Sequence, residues 1–71
     1  MAKVLTVTGF SIRKDRIEVE KPSGTAAQAG KAWKAYADVA PAGVKVELYA
    51  LYSDGSEDLR GLSRKPLPNE I

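Results

Sequence analysis

The sequence has no cysteine and no histidine. The first absence removes disulfides and thiolate metal sites. The second removes the commonest zinc ligand and the usual general acid or base. Long apolar runs are missing too: none approaches the roughly 20 residues of a membrane span. Met1-Ala2-Lys3-Val4-Leu5-Thr6 lacks the apolar core of a signal peptide. The expectation is a cytoplasmic protein held together without covalent or metal staples. A strong excess of one charge is also lacking. Eleven basic and nine acidic residues leave a net charge of +2, so any electrostatic footprint depends on how the charges are arranged.

Catalytic signatures are equally scarce. No glycine motif cradles a phosphate, and none of Ser11, Ser23, Ser53, Ser56 and Ser63 stands in a G-x-S-x-G elbow. Glu57 and Asp58 are adjacent on an expected strand and so point to opposite faces. Glu18 and Glu20 share a face near Arg13 and Arg16 and read as solvated partners of those cations. Asp54-Gly55-Ser56-Glu57-Asp58 sets oxygens at alternate positions, but it lacks the central glycine and distal glutamate of a calcium loop. It reads as a polar turn. The expectation is a protein that is not an enzyme and takes no metal, cofactor or small-molecule substrate.

What remains is an ordinary globular composition, 44% hydrophobic and 28% charged over 71 residues. A chain of this size buries only about 60% of its unfolded surface. The thin margin favours burying more surface against a second copy.

Phe10 and Ile12 alternate with Ser11 and Arg13, and Ile17 and Val19 alternate with Glu18 and Glu20. These period-2 patterns predict a hairpin. A two-residue turn at Lys14-Asp15 sets Ile12 opposite Ile17 and Phe10 opposite Val19 on one face. Leu5 and Val7 have the opposite parity, and the slip beside Gly9 predicts a β-bulge. After the loop Lys21-Pro22-Ser23-Gly24, Thr25-Ala26-Ala27-Gln28 has the form of a capping box and opens a helix. Ala26, Ala29, Gly30, Trp33, Tyr36, Ala37 and Ala40 fall on one helical stripe, and Pro41 ends it.

Val44, Val46, Leu48, Ala50 and Tyr52 then alternate with Lys45, Glu47, Tyr49 and Leu51 up to Asp54-Gly55, the strongest hairpin signal in the chain. A two-residue loop there sets Leu59 opposite Ala50, inside, and Gly61 opposite Leu48, where the helix needs room. The fold class is α+β: a ββαββ chain forming a four-stranded antiparallel sheet with one helix packed on one face. Residues 1–64 are the domain, and 65–71 form a proline-rich extended tail. The expected core is Leu5, Val7, Phe10, Ile12, Ile17, Val19, Trp33, Tyr36, Val44, Val46, Leu48, Ala50 and Leu59.

The face away from the helix carries the functional expectation. The assumed register pairs Lys45 with Arg64, Glu47 with Leu62, Tyr49 with Arg60 and Leu51 with Asp58 on that face. Tyr49, Leu51 and Leu62 make an apolar group where water is expected, the mark of a protein-binding surface. The leading reading is a module that pairs with itself or docks on a larger protein there. The alternative is a nucleic-acid surface, as in a phage or plasmid accessory protein. Tyr49 would stack on a base, and Lys45, Arg60, Arg64 and the hairpin tip Arg13, Lys14 and Arg16 would meet phosphates. A merely solvated face is the third.

Overall fold

A computed structural model describes residues 5–70. Strands β1 (Val7–Lys14) and β2 (Ile17–Glu20) form the first hairpin. Helix α1 (Ala26–Val39) follows, then strands β3 (Lys45–Tyr52) and β4 (Glu57–Arg64). The order across the single antiparallel sheet is β2-β1-β3-β4. The ββαββ fold expected from the sequence is the one observed.

The helix begins where the sequence places it. Thr25 Oγ1 accepts from the Gln28 N–H at 3.2 Å, and Gln28 Oε1 accepts from the Thr25 N–H at 2.9 Å. Two backbone donors at the helix start are thereby satisfied reciprocally. Ala40 closes the helix in extended geometry ahead of Pro41. The core between helix and sheet is Phe10, Ile12, Ala29, Ala37, Ala40, Val46, Leu48 and Ala50. Trp33, Tyr36, Val44 and Tyr52 pack partly buried around it. Small helical residues let the backbone sit close to the sheet, and Trp33 Nε1 donates to the Val46 carbonyl at 2.9 Å.

Three registers decide which side chains share a face. The bulge beside Gly9 is present, as a slip between Val7 opposite Tyr52 and Gly9 opposite Leu51. It lies against β3, in the middle of the sheet. The first turn is displaced by one residue from Lys14-Asp15. Lys14 faces Ile17, and Asp15 and Arg16 make the turn with φ of 50° and 70°. Positive φ at both central positions is type I′ geometry, whose twist suits a hairpin. Asp15 supplies the reason: its N–H donates to the Lys45 carbonyl at 3.0 Å, and its Oδ1 accepts from the Lys45 N–H at 3.3 Å. The turn is anchored to β3 rather than fixed by its own hairpin alone. A second slip, between Ile12 and Arg13, leaves Ile12 opposite Glu20. Ile17 and Val19, expected in the core, are exposed, as are Leu5 and Val7.

The third register matters most. The Tyr52 N–H donates to the Ser56 carbonyl at 2.9 Å, and the Gly55 N–H donates to the Tyr52 carbonyl at 3.0 Å. The loop is therefore Ser53-Asp54-Gly55, with Gly55 at φ 88°, in place of a two-residue Asp54-Gly55 turn. Near the loop Leu51 faces Glu57, Ala50 faces Asp58 and Tyr49 faces Leu59. An extra residue, Arg60, then restores the expected pairing of Leu48 with Gly61, Glu47 with Leu62 and Lys45 with Arg64. The expected pairs Ala50–Leu59, Tyr49–Arg60 and Leu51–Asp58 do not form. Leu59 leaves the core for the other face.

The tail is not simply extended. The Gly43 N–H donates to the Lys65 carbonyl at 2.8 Å, and Pro68–Glu70 form a short 3-10 turn.

Candidate functional site

The face turned away from α1 carries a connected set of side chains at its centre. Ser11 is fully buried there, although it belongs to the side away from α1. Its hydroxyl donates to Glu18 Oε2 at 2.6 Å and accepts from Arg13 Nε at 3.3 Å. The Arg13 guanidinium lies over the Tyr49 ring, 4.3 Å from its centroid, and pairs with Glu57 of β4. Cation and ring attract because the ring face is electron-rich. Tyr49 in turn donates its hydroxyl to Glu47 Oε2 at 2.7 Å. That bond raises the Tyr49 pKa above its ordinary value, with burial adding to the effect. Arg13 thus spans the sheet from β1 to β4 and roofs the middle of the face.

This arrangement redistributes the expected phosphate contacts. Arg13 belongs to a strand rather than to the hairpin tip, and its charge is engaged by Glu57. Arg60 sits on the helix side, where Nη2 donates to the Tyr52 hydroxyl at 2.7 Å and Nε lies 3.4 Å from Asp58 Oδ2. The extra residue in β4 is the physical cause. It turns Arg60 to one face and Leu59 to the other. Lys14 is exposed opposite Ile17. Lys45 and Arg64 face one another as expected. Lys45 and Arg16 line an open concavity of about 630 Å³ with Arg13, Asp15, Glu47 and Tyr49.

The apolar group is larger than the sequence suggested. Leu62 is 55% exposed, and Leu59, facing Tyr49, is 46% exposed. Tyr49 and Leu51 are half-buried beside them. Sequence reasoning missed Leu59, yet a signal was present. Leu59 and Leu62 are three apart, a spacing that a regular strand cannot put on one face, and Gly61 lies between them.

In the second loop, Asp54 Oδ1 accepts from the Ser56 N–H at 2.9 Å and from the Ser56 hydroxyl. Those bonds, the hydroxyl first, hold the Asp54 pKa below its ordinary value. Of the oxygens that resembled a calcium loop, those of Asp54 and Ser56 bond to one another within the turn, and Asp58 Oδ2 accepts from the Tyr52 hydroxyl at 3.4 Å. Among the described residues no group of three or more His, Cys, Asp or Glu could hold a metal ion, and no helix is long and apolar enough to cross a membrane. Comparison with known proteins finds no matching family, no matching curated protein and no matching solved structure.

Proposed function

We propose that this chain is a non-enzymatic protein-interaction module, working in the cytoplasm, that docks through the open face of its sheet. The contact residues are Tyr49, Leu51 and Leu62, joined by Leu59. One observation carries the reading: two leucines about half exposed stand beside Tyr49 on a face that, among the described residues, no other element covers. Contiguous apolar surface of this kind marks an interaction site. The Arg13–Tyr49 stack holds the centre of the face rigid, which lowers the entropy lost on docking. The partner is a second copy in the simplest case, or a larger protein.

Sedimentation at micromolar concentration tests the reading. The wild type is expected to run above the 7.6 kDa of one chain, and Leu51→Arg, which puts a charge on the face, to lower the mass. A wild type and a Leu51→Arg variant that sediment alike would sink it. The nucleic-acid alternative draws less support, because Arg60 lies on the helix side and Arg13 occupies the Tyr49 ring.

A further inference from the structure

The outer edge of β4 goes beyond the open face, because it concerns backbone rather than side chains. Peptide groups alternate in direction along a strand. Ser53 donates to the Thr6 carbonyl and Lys45 accepts from Asp15, so the odd residues of β3 address β1. Tyr52 donates to the Ser56 carbonyl, so Tyr52, Ala50, Leu48 and Val46 address β4. Their partners Asp58, Gly61 and Ser63 turn their peptide groups inward. Glu57, Leu59 and Leu62 therefore turn theirs outward. β4 is an end strand, and among the described residues no strand lies beyond it. Such an edge is a template for another strand.

We propose that β4 pairs antiparallel with β4 of a second copy, about a two-fold axis passing between Arg60 and Gly61. Three features of the sequence Glu57-Asp58-Leu59-Arg60-Gly61-Leu62-Ser63-Arg64 fit that register. First, Leu59 meets Leu62 of the second copy, and Asp58 meets Ser63. Each pair is matched in polarity, and the symmetry makes every pair twice. Parallel pairing would instead bring like charges together. Secondly, Leu59 and Leu62 are residues whose peptide groups face outward, so each Leu59–Leu62 pair can exchange two backbone hydrogen bonds. Thirdly, the bulge is matched. An extra residue spoils the fit to a regular strand, but a second copy carries the same extra residue at the same place. The faces then agree as well: Leu59 and Leu62 of both copies gather on the open side. The product is an eight-stranded sheet with four leucines along its axis.

Hydrogen exchange of the wild-type protein, read amide by amide at two concentrations, tests the pairing. The amides of Leu59 and Leu62 are expected to slow by roughly tenfold or more at the higher concentration. Leu62→Pro removes one outward donor without touching the bonds to β3, and is expected to weaken the dimer by about tenfold or more. Leu51→Arg, which loses the open-face contact and falls to twice 7.6 kDa, is expected to leave these amides protected, which separates the edge from the open face. A monomer, or a dimer whose β4 amides exchange at the monomer rate, would overturn the pairing.

Discussion

The indole of Trp33 lies against Gly61, so closely that a Cβ on the glycine would come within 3.1 to 3.2 Å of three ring atoms. The ring is tethered from the other side by its bond to the Val46 carbonyl, so it cannot simply slide away. Gly61→Val is expected to cost about 1–3 kcal/mol by overpacking. Urea unfolding followed by tryptophan fluorescence measures it. A variant as stable as the wild type would mean that the helix can rise off the sheet at no cost.

The first turn holds Arg16 at φ 70°, where an L side chain is crowded. Arg16→Gly converts the pair to Asp-Gly, the favoured type I′ sequence. It is expected to stabilise the fold by about 0.5–1 kcal/mol, seen as a higher urea midpoint with an unchanged slope.

Thr25→Ala removes one half of the capping box. The expected loss is about 1 kcal/mol, and Ser at this position should recover most of it. Circular dichroism at the helix band during thermal unfolding provides the comparison.

Asp54 gives a pH dependence of definite sign. Its folded pKa is depressed by the Ser56 hydroxyl and backbone N–H. Its contribution is therefore fully present above the ordinary carboxylate value of 3.8 and is lost as the pH falls through the lower folded value. The difference in stability between wild type and Asp54→Asn should shrink over that acid range. A difference that is flat with pH would refute the assignment.

Tyr49 titrates in the opposite sense. Its neutral hydroxyl donates to Glu47, so the folded pKa is raised above 10.0. The stabilisation is present below that ordinary value and is lost as the pH rises through the folded one. Glu47→Gln should bring the Tyr49 titration back toward its ordinary value in NMR-detected titration.

Element types and order were legible because each had a local signal: alternation in the strands, Thr25 and Gln28 at the helix start, Pro41 at its end. Gly9 and Gly61 were legible as well, one as a bulge and the other as room for the helix. The single-residue registers were not. Asp15 chose the first turn through bonds to Lys45, which lies 30 residues away in sequence, and no hairpin rule contains that partner. In β4 the expected pairing failed between Leu48 and Tyr49, where Arg60 is inserted. An inserted residue reverses the facing of everything on one side of it, which sent Leu59 out and Arg60 in. The candidate site therefore kept Tyr49, Leu51 and Leu62, gained Leu59 and lost Arg60. The buried Ser11 beneath Arg13 had no sequence signal, since a serine between apolar residues reads as an outward polar position.

The strand order has a consequence for how the chain folds. The middle seam of the sheet joins β1 to β3, strands from different hairpins with β2 and the whole helix between them. Closing that seam requires an entropically costly loop, and neither hairpin by itself contains the centre of the sheet. An isolated two-stranded hairpin is marginal in water. Folding should therefore wait on one long-range encounter. A chain cleaved between α1 and β3 should yield two fragments, each unstructured alone and structured when mixed.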